Sequence, residues 1–347
     1  MSFRRAFAVV IAALVFTVSF TDALSAQAKP AQAQQQRKLS NDERRDYSEA
    51  SQFLDEVIAG KQPAPADLKA RFHHHFLKAD NGTYLPYTLE LTGGTFSSYP
   101  VTMYVRAVGK DAAPAPAKPG EKPADYPFAD VYFLTEKNLV TANGVTEISR
   151  ALSLPAGEYT LYIALRERQP KDRKQMPKTV VLSQPLSVPD MSKDLTTSSV
   201  ILASGLDPAA EQLNAQQQLE QPFNISGYKI TPVFSGTFAQ SNELLFVFFI
   251  YNEGAAANGK PDVDVAYNFF RGTEEKPFTR LATQSFNATT LPAEFNLAAG
   301  HQVMVGQGVP LKNPAMTFAP GEYRLEIRVT DKTSNQTITR NVPFTVS

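Results

Sequence analysis

The chain has 347 residues and contains no cysteine and no tryptophan. The lack of cysteine excludes disulfide bonds, cysteine nucleophiles, thiolate metal sites and the lipid-modified cysteine of a bacterial lipoprotein. Net charge is also absent, because 34 Lys and Arg residues balance 34 Asp and Glu residues, and this balance argues against nucleic acid as a partner. The fold must therefore be stabilised by apolar cores alone, and the length suffices for two domains of ordinary size.

Long hydrophobic runs are absent except for one near the N-terminus. Arg4 and Arg5 precede an apolar run from Ala6 to Phe20, and the triplet Ala26-Gln27-Ala28 follows. This pattern predicts a secretory signal peptide at residues 1–28. An uncleaved membrane anchor is the alternative, although the run of about 15 residues is shorter than the roughly 20 that span a bilayer. We expect an exported protein, periplasmic or extracellular, without a transmembrane segment after cleavage.

Residues 29–70 are expected to form a flexible lead-in followed by an amphipathic helix. Residues 29–38 are polar and low in complexity, which is typical of a flexible segment. Ser40 and Glu43 have the spacing of a helix capping box, and Gly60 is placed where a helix would stop. We interpret the helix as structural, packing on the first domain or on a partner.

Strand patterns begin near Arg71 and continue to the C-terminus. The triplet Asp80-Asn81-Gly82 between two apolar stretches predicts a hairpin turn. Leu244 to Tyr251 is apolar at every position, which predicts a central strand covered on both faces. We expect two β-sandwich domains, at residues 71–190 and 191–347.

A short phrase occurs twice, at Pro155 to Tyr159 and at Ala319 to Tyr323, and each copy opens a strand of period two. The two Gly-Glu-Tyr cores are 164 residues apart (321 − 157). They resemble the tyrosine corner of immunoglobulin-like and fibronectin-like sandwiches. The structural corner residues are Gly157, Tyr159, Gly321 and Tyr323. The resemblance implies a mainly β fold of two tandem immunoglobulin-like sandwiches with a short N-terminal helical segment.

The stretch from Phe318 to Val346 is also similar to the C-terminal β-sandwich of exported bacterial proteins of the GWxTD family. The motif that names this family is absent, since the chain has no tryptophan. The resemblance concerns a structural module and implies no specific function.

A basic segment lies in the hairpin that follows the first corner. Its positive charge suits anionic lipid headgroups, a polysaccharide or an acidic partner, although such runs are often only solvated hairpin tips. The candidate binding residues are Arg166, Arg168, Lys171, Arg173 and Lys174.

Three consecutive histidines, His73 to His75, form the one histidine cluster of the sequence. On a strand, His73 and His75 share one face, so they are the candidate metal ligands. A structural position at the edge of the first hairpin is the alternative.

No phosphate-binding loop, nucleophile elbow or dinucleotide fingerprint occurs in the sequence. Asp262 and Asp264 have the residue type needed for acid and base catalysis, but their alternation with valines is typical of a strand's outer face. We predict that the protein is not an enzyme, has no cofactor and binds an unknown envelope protein. A polysaccharide-binding or adhesion module, and an enzyme with an unrecognised metal or carboxylate site, are the alternatives.

Overall fold

The computed structural model describes residues 14–19, 39–65, 68–80, 82–111, 126–170, 174–209, 213–313 and 316–347. The chain is mainly β, with several antiparallel sheets and few helices, which confirms the predicted mainly β class. It divides into two compact units. The first unit contains the described residues from 39 to Asp194 together with Asp207–Lys229. The second contains Leu195–Leu206 and Ile230–Ser347 together with a strand at residues 14–19.

The helix α1 (Asn41–Ile58) begins at a capping box. The Ser40 amide donates to Glu43 Oε2 at 2.8 Å, and the Glu43 amide donates to Ser40 Oγ at 3.2 Å. The helix is followed by Gly60, whose positive φ of 68° is readily adopted by glycine. Among the described residues, no helix is both long enough and apolar enough to cross a membrane. The predicted lead-in at residues 29–38 lies outside the described residues.

The first unit is built from two sheets. Its strands are β2 (Lys69–His74), β3 (Leu77–Ala79), β4 (Gly82–Thr92), β5 (Val101–Gly109), β6 (Phe128–Leu134), β7 (Val140–Ala142), β8 (Val145–Leu154), β9 (Gly157–Glu167) and β10 (Thr179–Val188). One sheet has the order β2-β4-β8-β7 with β3 also paired to β4, and the other has the order β10-β9-β5-β6. Alternate residues of both sheets, such as Leu89 and Ile163, form one buried core.

A tight hairpin joins β3 to β4, as predicted. Ala79 pairs with Gly82, so the chain reverses between these two residues, and Asn81 lies outside the described residues. A Cβ atom on Gly82 would lie 2.6 Å from the carbonyl oxygen of Leu154, and φ at Gly82 is 134°. Only glycine fits this close approach of the two backbones.

The second unit also has two sheets. Its strands are β1 (Leu14–Ser19), β11 (Thr196–Thr197), β12 (Ile201–Pro208), β14 (Tyr228–Pro232), β15 (Thr237–Phe238), β16 (Glu243–Tyr251), β17 (Val263–Arg271), β18 (Thr279–Arg280), β19 (Gln284–Phe286), β20 (His301–Pro310), β21 (Gly321–Asp331) and β22 (Gln336–Val346). One sheet runs β1-β20-β16-β12-β14, with β11 also on β16, and the other runs β15-β22-β21-β17-β18, with β19 on β17.

The strand β16 lies in the interior of its sheet, between β20 and β12. Phe246 and Phe248 belong to the core between the two sheets. Val247 and Phe249 point to the opposite face and are at most 1% exposed. The prediction of a central strand covered on both faces is therefore confirmed.

The chain leaves the second unit within β12 and returns to it within β14. The intervening segment contains α2 (Ala215–Glu220) and β13 (Asn224–Ile225), and β13 pairs with the start of β14. We expected all of residues 191–347 to belong to the second sandwich. The structure instead groups Asp207–Lys229 with the first unit.

Candidate functional site

Two arginines of the predicted basic site anchor the helix α1. Arg166 lies 3.0 Å from the carboxylate of Glu49, and Arg168 lies 2.6 Å from that of Asp46. Among the other candidates, Lys174 is exposed, whereas Lys171 and Arg173 lie outside the described residues. Arg166 and Arg168 therefore serve the fold, because their charges already face carboxylates.

A third arginine extends this contact between α1 and the sheet beneath it. Arg106 of β5 is buried and donates from Nη1 to Asp55 of α1. Its guanidinium also lies over the rings of Tyr104 and Tyr126, at 5.0 and 4.4 Å from their centroids. Tyr47 of α1 packs edge-on against Tyr104 at 5.3 Å. We call this set of three arginine–carboxylate pairs, at Arg106, Arg166 and Arg168, the helix clamp.

The histidine cluster has the alternation that a strand imposes. His74 stacks on Phe72 with ring centroids 5.0 Å apart, whereas His73 Nε2 lies 3.0 Å from Glu90 Oε2. His75 packs edge-on against Phe223 at 6.1 Å. Burial is the main cause that lowers the pKa of His75 to about 3, so this imidazole is neutral at physiological pH.

The metal hypothesis needs at least three converging ligands. Within the described part of the chain, no group of three or more His, Cys, Asp or Glu side chains could hold a metal ion. The carboxylate of Glu90 lies 3.0 Å from Nε2 of His73. In the second unit, Nδ1 of His301 accepts a hydrogen bond from the Asn296 amide at 2.9 Å. These surroundings favour a structural role for the histidines.

The segment 213–229 covers the outer face of the sheet that carries His73 and His75. The Tyr84 hydroxyl donates to the carbonyl oxygen of Pro222 at 3.1 Å, and α2 packs on β8. Leu219, Phe223 and Ile225 are buried. No single periodic stripe joins these apolar residues, so sequence patterns did not indicate that the segment packs on the first unit.

A buried polar cluster, which the sequence did not reveal, lies inside the first unit. Asp130 and Tyr132 come from β6, Tyr87 comes from β4 and Arg150 comes from β8, and all four side chains are at most 5% exposed. The Arg150 guanidinium lies over the Tyr132 ring, 5.5 Å from its centroid, and its Nη1 donates to the Ser149 carbonyl at 2.8 Å. An arginine at an inward position of β8 is the one sequence signal that marks this cluster.

Burial raises the pKa of Asp130 to about 7, against smaller lowering effects of hydrogen bonds with the Val131 amide and with Tyr132. A carboxyl group with this pKa exchanges its proton near neutral pH. General acid or base catalysis would also require contact with a substrate. Because Asp130 lies within the core, the cluster suits proton uptake coupled to stability.

Asp262, which precedes β17, and Asp264 within it have a structural environment. Lys332 Nζ lies 3.5 Å from Asp262 Oδ1 and 2.9 Å from Asp264 Oδ2. The Ser285 hydroxyl also donates to Asp264 at 2.6 Å. One lysine therefore neutralises both carboxylates on the outer face of the strand.

Both predicted tyrosine corners make the hydrogen bond that defines the motif. The Tyr159 hydroxyl donates to the carbonyl of Pro155 at 3.1 Å, and the Tyr323 hydroxyl donates to that of Ala319 at 2.8 Å. At Gly157, φ is 154° and a Cβ would lie 3.2 Å from the Tyr159 hydroxyl. The same local geometry thus opens β9 in the first unit and β21 in the second.

No protein-family model matches the chain, and no curated protein matches it. The function must accordingly be argued from the geometry of the chain itself.

Proposed function

We propose that the protein is exported and acts without catalysis, as a binding or structural protein of the cell envelope built from two immunoglobulin-like sandwiches. The observation that carries this proposal is the repeated tyrosine corner. Tyr159 and Tyr323 each donate to the carbonyl four residues earlier, and each lies in a strand of 11 residues that contributes to a two-sheet core. Modules of this architecture commonly serve as recognition and assembly domains.

The charged groups considered for chemistry support the same interpretation. The helix clamp uses Arg166 and Arg168, and Lys332 pairs with Asp262 and Asp264. A catalytic group needs a shifted pKa and access to a substrate. The pKa of Asp130 is shifted, but its side chain is enclosed by the core. These contacts favour binding through the outer surface over catalysis in a cleft.

Export is tested by expressing the full chain in a Gram-negative host and measuring the mass of the protein released from the periplasm. We expect the N-terminus at Lys29. A protein that keeps residues 1–28, or that stays in the cytoplasm, would contradict the export part of the proposal.

Protein binding is tested by placing a photo-crosslinking amino acid at one exposed strand position in each unit. Ser183 of β10 and Arg328 of β21 are suitable because both are exposed. We expect a crosslink to a defined envelope protein from at least one position. The matched control places the same amino acid at Met176, an exposed residue outside the strands. Equal crosslinking from all three positions would indicate random collision and would contradict a specific interface.

The main alternative is a polysaccharide-binding or adhesion module, and a glycan array with the processed protein tests it. Saturable binding to one polysaccharide class, without a protein crosslink, would replace the proposed partner by a polysaccharide.

A further inference from the structure

The strand β20 lies beside the terminal strand β1 of its sheet, and without β1 it would be a long edge free of charged side chains. Its sequence, His301–Pro310, contains no Lys, Arg, Asp or Glu. Open edges of this kind readily pair with another strand, and proteins usually protect them with charge, proline or short length. Several other edges in the described chain have such protection. The edge strands β15 and β18 have two residues each, β2 carries Lys69 and Arg71, and β10 contains Pro185.

The hydrogen-bond pattern shows which backbone groups face the free side of β20. The Leu311 amide donates to the Asn242 carbonyl at 3.2 Å, immediately after the pair of Pro310 with Glu243. In an antiparallel ladder, the residues that bond to one neighbour alternate with those that bond to the other. The odd-numbered residues of β20 therefore bond to β16. The residues whose amide and carbonyl groups point away from β16 are Gln302, Met304, Gly306 and Gly308.

In the full chain this side of β20 is occupied by β1. Leu14 pairs with Gly306, Phe16 with Met304 and Val18 with Gln302, in antiparallel register. The strand β1 lies entirely within the predicted signal peptide, residues 1–28. Cleavage of that peptide would remove β1 and expose the edge that it covers.

We propose that, in the exported protein, the uncovered edge of β20 pairs antiparallel with β20 of a second copy of the chain. A twofold axis through Val305 would place Met304 opposite Gly306 of the second copy, and Gln302 opposite its Gly308. Every edge-facing residue of β20 then has a backbone partner on the second copy. No like charges oppose one another in this register, and a twofold dimer is the commonest form of homo-oligomer.

This inference rests on the proposed export, because the edge is open only after residues 1–28 are removed. The chain has no cysteine, so one introduced cysteine gives an unambiguous crosslinking test. The residues of β20 that bond to β16 form non-hydrogen-bonded pairs across the new interface, with Cα atoms about 4.5 Å apart. This distance permits a disulfide. In the proposed register, Val305 faces Val305 of the second copy.

The experiment compares Val305→Cys with Val303→Cys in the processed protein after mild oxidation, on a non-reducing gel. Both valines belong to β20, both are 1% exposed and both lie in the same core, so unfolding or collision would affect them alike. The two copies of residue 303 would be separated by four residues along the strand, roughly 13 Å. We expect a covalent dimer from Val305→Cys and little from Val303→Cys. Equal yields, or none from either variant, would overturn the inference.

A second pair of variants tests the edge without placing a change in the core. Gln302 faces the free side of β20, so Gln302→Pro removes an edge donor and leaves the bonds to β16 intact. We expect Gln302→Pro to be monomeric by light scattering, with an unchanged circular dichroism spectrum, and Gln302→Ala to remain dimeric. If the wild-type protein loses residues 1–28 and is still a monomer, the proposed dimer is wrong and the proposed export stands. Retention of residues 1–28, seen by mass, would overturn both the dimer and the proposed export.

Discussion

Arg168 donates a hydrogen bond from Nε to Asp46 Oδ2 at 2.8 Å, and its Nη2 lies 2.6 Å from the same oxygen. The two residues are 122 positions apart in sequence. The side chain of Asp46 is only 4% exposed, so water screens this pair weakly. The contact joins α1 to the end of β9 and makes the helix part of the first unit.

We predict that Asp46→Ala lowers the free energy of unfolding by about 2 to 3 kcal/mol, because the Arg168 guanidinium loses its buried acceptor. The measurement is urea unfolding followed by circular dichroism. The control is Asp42→Ala, which removes a surface pair with Arg45 at 3.4 Å and should cost about 1 kcal/mol or less. Similar losses from the two variants would show that the helix clamp is not a main source of stability.

The two tyrosine corners should differ in their contribution to stability. Tyr323 is buried, whereas Tyr159 is partly exposed. When the Tyr159 hydroxyl is removed, water can therefore reach the carbonyl of Pro155 and replace the lost hydrogen bond more easily than at Ala319. We predict that Tyr323→Phe costs about 1 to 2 kcal/mol and Tyr159→Phe less than about 1 kcal/mol. Thermal unfolding of both variants by calorimetry provides the comparison. A larger loss from Tyr159→Phe would contradict this order.

Asp130 should make the first unit less stable as the pH rises. An unfolded aspartate has a pKa near 3.8, whereas burial raises the pKa of Asp130 to about 7 in the folded chain. Between these values the folded state holds a proton that the unfolded state has lost. The resulting stabilisation is complete below about pH 4 and is lost as the pH rises through about 7, by at most about 1.4 kcal/mol per pH unit.

Comparison with Asp130→Asn isolates this effect, since asparagine resembles the protonated acid and does not titrate. We expect the unfolding free energy of the wild type, minus that of the variant, to fall between pH 5 and pH 8. Carboxylates with lowered pKa values, such as Glu167, contribute equally to both proteins and cancel. A difference that is independent of pH would contradict the assignment.

Asp331 should contribute stability with the opposite dependence on pH. Burial alone would raise the pKa of Asp331, but hydrogen bonds from Ser334, Gly254 and Thr333 lower it below the usual value. Its stabilising effect is therefore present at neutral pH and lost as the pH falls through the lowered pKa. We predict that Asp331→Ala costs about 2 to 4 kcal/mol at pH 7.

The loss from Asp331→Ala should shrink at pH 3, as measured by urea unfolding. Thr339→Ala serves as the control, because it changes an exposed, uncharged residue of β22 and its effect should not depend on pH. An equal loss at both pH values would show that Asp331 acts through packing rather than through its charge.

Most strands could be predicted from the sequence because their apolar residues alternate. The strands β9 and β21 were expected because each opens at a Gly-Glu-Tyr core with a period of two, and the structure contains both. The strand β8 was missed, since its inward positions include Arg150 between Ile148 and Leu152, and a charged residue interrupts the apolar pattern. The same arginine marks the buried cluster with Asp130. A pattern that counts only apolar residues therefore misses the strand and the cluster together.

The candidate sites were less predictable, because their role depends on partners that are distant in sequence. The alternation of His73 and His75 followed from strand geometry, but their neighbours Glu90 and Phe223 did not. Similarly, Arg168 belongs to a basic run in sequence, and only the fold brings it to Asp46. Charge patterns locate polar residues without showing which of them are already neutralised.

The excursion of the chain from β12 through α2 to β14 has a consequence for synthesis and for truncation. The first unit needs residues up to Lys229, so a ribosome must also translate β11 and part of β12 of the second unit before the first can be complete. A fragment ending at Asp194 would lack the cover that Pro222 and Phe223 provide to Tyr84 and His75. A fragment intended to represent the first unit should therefore extend to Lys229.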